Sequence, residues 1–360
     1  MAIEFDIARW AKVKEDARCW WAGELERPLI QCRLWGAASR RPTPRLPKVS
    51  MDTTAYDLSV SVEDILDRWD YELSATLYLG DAFPHVFADF GPGVIAAFLG
   101  AQPVPGRETV WFHLARAQEI TEIQLRDDPD NVWCRRIMEL SRGAVERWQG
   151  QVQVGMTDLG GNLDILATFR PGENLLLDLY DHPDAVKRLT WESHALWWRY
   201  FDRINAVLQA RNPGYTAWAP IFSTQPYYIL QCDFCYMISP AMFDEFVKPE
   251  LAASCRRLGN AFYHLDGPGQ LPHLDSLLEI KELKGIQWVP GAGQPGYAEW
   301  PEVYRKIRRA GKLIQTWGNA ATLAALVDQL GSAAGIVMFT GGNIEQEPEL
   351  RGFLQKYGAM

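Results

Sequence analysis

The sequence predicts a single (β/α)8 barrel with an N-terminal helical extension, one domain over residues 1–360. Three observations point there. Short apolar stretches rich in β-branched and aromatic residues alternate with longer amphipathic ones. In the second half the alternation repeats every roughly 20–30 residues, the length of a parallel βα unit. No linker or low-complexity tract breaks the chain, and no G-x-G-x-x-G follows an early strand, which places an open nucleotide-binding sheet second to a closed barrel.

The second half gives the clearest elements. Strands are expected at Asn260–Gly267, Lys284–Gly291, Lys312–Gly318 and Gly335–Gly342. Helices follow them at Leu271–Leu283, Trp300–Ala310, Ala320–Leu330 and Pro348–Tyr357. In the first half, strands are expected at Pro28–Trp35, His85–Phe90, Val152–Asp158 and Thr216–Phe222. Helices are expected at Val62–Leu79, Asn131–Gln149, Pro183–Ala210 and Pro240–Leu258. A Pro- and Arg-bearing loop fills the interval from Ala37 to Tyr56, without the Gly/Ser composition of a flexible linker.

Composition narrows the function classes. Hydrophobic residues are 48% and charged residues 22% of the chain, an ordinary globular balance that rules out wholesale disorder. Thirty-six Lys and Arg against 45 Asp and Glu leave a formal charge of −9, which disfavours nucleic acid and anionic membrane surfaces as partners. No apolar run reaches the roughly 18 residues of a membrane helix. The charged opening residues, Glu4 to Asp16, do not read as a signal peptide. Six irregularly spaced cysteines suggest free thiols and a cytoplasmic setting.

In such a barrel the chemistry sits at the carboxyl ends of the strands. The polar residues expected there are Arg33, Asp89, Asp158, Asp233, His264 with Asp266, Gln287, Thr316 and Thr340. His264 and Asp266 share one side of their strand because the side-chain period is two. An imidazole and a carboxylate side by side suit a divalent metal or a general-base pair. The same residues also suit a buried core histidine and an aspartate capping the Gly-Pro-Gly turn. Asp89 and Asp158 are candidate catalytic acids or bases, and each also reads as a helix or turn cap. Cys232-Asp233-Phe234-Cys235 is formally C-x-x-C, better read as buried thiols than as a redox or zinc motif. Arg33, with Arg40 and Arg41 beyond it, could grip a carboxylate or phosphate. Trp35, Trp218, Trp288 and Trp317, out of 15 Trp, fall near strand ends and could line a substrate pocket. The loop Pro290–Tyr297 could form one wall of it.

Ser239-Pro240 with Phe243, Phe246 and Pro249 resembles the SP-x-x-F-x-x-F-x-x-P segment of the uroporphyrinogen decarboxylase superfamily. Arg33 after a strand, Phe87-Ala88-Asp89, the His264 to Gly267 strand and Gly318-Asn319 resemble further stretches, so the likeness runs through nearly the whole chain. That superfamily is built on a (β/α)8 barrel and includes decarboxylases and cobalamin-dependent methyltransferases that act with corrinoid proteins. The resemblance implies a catalytic role for Asp89 and places the decarboxylase's serine at Asp233 and its late histidine near Thr340. Ala37 stands where the decarboxylase has its second arginine, which argues against that activity. His264 matches the first zinc ligand of the methyltransferases, whereas Asp266 replaces a cysteine and Phe339 to Gly342 hold no late cysteine. The donor set is therefore harder than in those relatives, His264 plus Asp266. The resemblance implies a methyltransferase acting on a small polar substrate, with zinc as the divalent metal, a corrinoid protein as partner and a homodimeric state. The residues leave open a metal- or carboxylate-assisted hydrolase or lyase on a sugar-like substrate and a non-enzymatic binding barrel.

Overall fold

A computed structural model describes residues 3, 5–48, 56–107, 109–171 and 173–360. Its strands are β1 (Leu29–Trp35), β2 (Thr76–Gly80), β3 (His85–Phe87), β4 (Gln102–Pro105), β5 (Val110–His113) and β6 (Gln153–Gly155). They continue as β7 (Tyr227–Leu230), β8 (Asn260–Asp266), β9 (Leu283–Val289), β10 (Leu313–Trp317) and β11 (Ile336–Asn343). Seven form one sheet in the order β2-β1-β11-β10-β9-β8-β7, parallel throughout except for the β1/β2 pair. β3 and β6 form a separate parallel pair, and β4 and β5 an antiparallel hairpin. The fold is thus mixed α/β: a largely parallel sheet, its last strand beside its first, wrapped in helices around one contiguous apolar core.

Local chemistry sets the element ends. Asn319 caps the helix Ala320–Leu330, its side chain accepting from Ala321 N at 3.0 Å and Thr322 N at 3.1 Å, and Gly331 closes it in the left-handed conformation. Ser239 caps Pro240–Phe246, with Phe243 and Phe246 turned into the core, which explains the Ser-Pro and Phe spacing of that segment. The helix Ile7–Ala22 starts on Asp6 and packs Trp10 against Phe83 and Phe222 and Trp20 against Phe262. Arg27 grips both oxygens of Asp81 at 2.8 Å, and Asp81 also accepts from Ile30 N, which anchors the start of β1.

Most expected elements of the second half fall within a residue or two of their observed bounds; four expectations need correction. Thr216–Phe222 is no strand: it is flanked by an isolated bridge from Tyr215 to Ser223, and Thr216 O accepts from Met156 N at 2.9 Å, but Pro220 cannot donate to a ladder. The strand at this point is β7, in the apolar run after Pro226. The helix from Val62 stops at Ser74, and Thr76–Gly80 pairs with β1 instead. Pro240–Leu258 divides into Pro240–Phe246 and Lys248–Arg257, because Pro249 cannot continue the first helix's hydrogen bonding. Leu271–Leu283 is a 3-10 turn, Pro268–His273, and a short helix, Leu274–Leu278. The β4/β5 hairpin has no counterpart among the expected elements. Of the loop between Ala37 and Tyr56, 49–55 lie outside the described residues. All six cysteines are free thiols, and among the described residues no helix is long and apolar enough to cross a membrane.

Candidate metal and substrate site

The strand period places His264 and Asp266 of β8 on one face, and the register sets His264 beside Gln287 of β9. His264 Nδ1 shares a hydrogen bond with Gln287 Oε1. A carbonyl oxygen can only accept, so Nδ1 carries the proton and the Nε2 lone pair is free. That Nε2 lies 4.0 Å from Asp266 Oδ2. Asp233 completes the group: one donor atom from each of Asp233, His264 and Asp266 lies within 4.8 Å of the others. The Trp218 ring meets the imidazole edge-on, centroids 5.2 Å apart. Burial holds the His264 pKa below its ordinary value, against the opposing pull of Asp266.

Asp233 is placed from behind by a residue that sequence reasoning did not single out. Asp164, on the helix Asn162–Phe169, accepts from Asp233 N at 3.1 Å and Phe234 N at 2.8 Å. It thereby caps the 3-10 turn Asp233–Met237 from another part of the chain. A Cβ on Gly161 would stand 2.3 Å from the Gln231 carbonyl oxygen, so only glycine lets the two segments approach this closely. On the other side, His273 Nε2 donates to Cys235 O at 2.8 Å while its ring stacks on Phe243. Cys232 and Cys235 are buried within the same turn.

The acids form one electrostatic set. Asp158, buried and accepting from Gly160 N at 3.0 Å, is pushed up to about 8 by burial, with the nearby charges of Asp233 and Asp89 adding to it. Asp164 rises to about 7 through burial and Asp233. Asp233, which reaches solvent at the mouth, rises to about 6 through desolvation and Asp266. Glu250, fully enclosed, accepts from Asn162 Nδ2 at 2.9 Å and is pushed up to about 8 by burial. Asp89 accepts from Gly91 N at 3.1 Å, a local turn bond, while its charge acts on Asp158.

The structure therefore brings Asp89, Asp158, Asp233, His264 and Asp266 into one neighbourhood and places the remaining candidates around it. Arg33 lies on the same face of β1 as Trp35, with its Nη2 buried and unpartnered, near a buried His85 that bonds to the Ala217 backbone. Trp35 stands 58% exposed at the end of β1. Trp317 meets Tyr297 and Phe339 at 5.8 and 5.9 Å. Three candidates fall on the wrong side of their strands, the first being Thr316, whose neighbour Gln315 pairs with Gln287 and so takes the His264 side. Trp288 is fully buried against Trp300, because its neighbour Gln287 takes the His264 side. Thr340 pairs with Cys32, one residue out of phase with Phe339 and Gly341, and so faces the helices. Next to Asp233 opens a cavity of about 620 Å³, bounded by the β4/β5 hairpin, the helix Asn162–Phe169 and the turn from Asp233 to Met237.

No protein-family model matches this chain, and no curated protein matches it in sequence. Among solved structures, a methyltransferase from Methanosarcina mazei is similar at a TM-score of 0.58 and 13% identity. The match covers 96% of this chain and 98% of that one. At that identity the likeness is one of fold.

Proposed function

We propose that the protein is a barrel enzyme of methyltransferase type, with a divalent cation, zinc first, held by His264, Asp266 and Asp233. The barrel reading rests on six strands that run parallel in one sheet (β1 and β7 to β11), on the separate parallel pair β3 and β6, and on the last strand lying beside the first. The fold likeness to a methyltransferase along nearly the whole of both chains supports the reaction class. One observation carries the cation site: the His264 lone pair, freed by the Gln287 hydrogen bond, converges with two carboxylates. Imidazole nitrogen with carboxylate oxygen is a donor set that zinc and harder divalent ions accept. Bound there, the cation would act as a Lewis acid on a substrate oxygen, with the methyl group passing to or from a corrinoid on a partner protein.

The chain's own residues would do the rest. Gln287 fixes the His264 ring and tautomer, as outer-shell partners of metal-bound histidines do. Asp164 holds the backbone of Asp233 in place. Asp158 keeps its proton near neutral pH and can give it to a departing oxygen. Asp89 adjusts the charge that Asp158 feels. Arg33 and the exposed Trp35 face the substrate side, with Trp218 and Trp317 as apolar walls. Metal analysis tests this reading: wild-type protein should retain close to one zinc per chain after dialysis, and His264→Ala and Asp266→Ala should not. Methylation of reduced cobalamin, followed by visible absorbance with a panel of methyl donors, should then require the loaded protein. Wild-type protein without metal, or His264→Ala with an unchanged zinc content, would refute the site.

A further inference from the structure

We propose that Gln270 is a positioning residue for the cation site, its side-chain amide donating to one oxygen of the Asp233 carboxylate and leaving the other for the cation. The proposal rests on the cation reading above. Gln270 stands in the 3-10 turn Pro268–His273, which follows β8 and Asp266 almost directly. That turn lies against the turn Asp233–Met237. His273 donates to Cys235 O at 2.8 Å, and a Cβ on Gly269 would stand 2.6 Å from the Tyr236 ring. The residues on either side of Gln270 thus seat its segment on the one that carries Asp233.

The side chain itself has a fixed orientation. It is 1% exposed, so its amide cannot turn to water. Its Oε1 accepts from the Tyr263 hydroxyl at 3.3 Å, and burial pushes that phenol well up, so it keeps the proton it donates. The bond decides which end of the amide is oxygen and commits Nε2 to the other side. Nε2 is buried and has no closed hydrogen bond of its own, and a buried donor of that kind calls for an acceptor. Asp233 is the acceptor that answers it. Desolvation and the Asp266 charge push the Asp233 carboxyl up, and the Gln270 amide, as a hydrogen-bond donor, pulls the other way. A lysine in this place would cancel the charge a cation needs, whereas a neutral amide orients the carboxylate and leaves its charge intact.

Two kinds of measurement test the proposal. In metal-free protein at pH 8, Gln270→Leu should lower the urea unfolding midpoint. In an Asp233→Ala background the same substitution should lower it by less than about half as much, because the shared contact is already gone. Asp233 reaches solvent, so its truncation leaves the fold intact. In a competition titration, Gln270→Leu should hold zinc about 10- to 100-fold more weakly than wild type. Tyr263→Phe, which releases the amide oxygen, should weaken zinc in the same direction by a smaller factor, and it serves if Gln270→Leu folds poorly. Cobalt(II)-loaded protein gives a signature that a merely structural role would not move: with both Asp233 oxygens free to bind, the coordination number rises and the visible absorption should fall. Equal midpoint losses in the two backgrounds would overturn the proposal, as would zinc affinity and cobalt spectrum unchanged in both variants. If wild-type protein retains no zinc, the cation reading falls, and the unfolding comparison still decides the contact between Gln270 and Asp233.

Discussion

Replacing Glu250 by Gln should change the pH dependence of stability in a direction the structure fixes. Glu250 is buried in the helix Lys248–Arg257 with Asn162 as its side-chain partner, and its carboxyl titrates near 8 rather than near 4.5. A raised folded pKa means that the native state binds a proton the unfolded state has already lost. The stabilisation is therefore complete below about pH 4.5 and declines as pH rises toward 8. Each pH unit in that window costs about 1.4 kcal/mol for this one group, and the whole span on the order of 5 kcal/mol. In the Glu250→Gln variant the new side chain would keep an oxygen for Asn162 and could turn its amide toward Asp164, whose charge already acts on this position. Urea unfolding of both proteins from pH 5 to 8.5 reads the effect as a difference, since Asp158 contributes the same background to each. The difference curve should rise in favour of Glu250→Gln with increasing pH. A flat difference would refute the idea that Glu250 is held neutral by burial.

Three further outcomes follow from the geometry. Gln287→Leu should lower zinc affinity by about 10- to 100-fold in a competition titration while leaving the fold intact, because it frees the His264 ring from its orienting bond. Asp164→Ala should cost about 1–3 kcal/mol in urea unfolding, by leaving the backbone N–H groups of Asp233 and Phe234 unpaired, and should weaken zinc binding as well. Trp288→Ala should destabilise by about 3–5 kcal/mol, and Trp35→Ala by less than about 0.5 kcal/mol, in the same assay. The two tryptophans sit near strand ends in sequence, but one is fully buried and the other 58% exposed.

How much of this was readable in advance depended on the range of the interactions involved. His264 and Asp266 share a face by a rule that needs only their own strand, and their neighbourhood with Asp233 followed from three carboxyl-end positions expected at one mouth. Trp288 and Thr340 were misplaced by nearness to a strand end. Applied to Gln287 and Phe339, the same period-two rule turns Trp288 and Thr340 toward the helices. Asp164 and Glu250 were not legible at all. Asp164 meets Phe234 across 70 residues of sequence, and Asn162 meets Glu250 across 88, so no local pattern announces either contact. β2 and the β4/β5 hairpin escaped for a related reason: both are edge elements whose pairing is decided by what lies beside them.

The inner face around His264 is built of amides where charges would be costly. Gln287 of β9 and Gln315 of β10 lie opposite each other in register, both fully buried, with Gln231 buried just past β7. Desolvating a charged side chain at any of these positions would cost several kcal/mol, whereas an amide offers a donor and an acceptor without ionising. For His264 the consequence is chemical. A carboxylate in the place of Gln287 would favour the doubly protonated ring, and a protonated Nε2 cannot act as a ligand. The neutral Gln287 oxygen accepts from the Nδ1–H and adds no charge, so it orients the ring and leaves Nε2 unprotonated in the same contact. Asp266 and Asp233 then supply negative charge at the opening, where solvent and a cation can reach it.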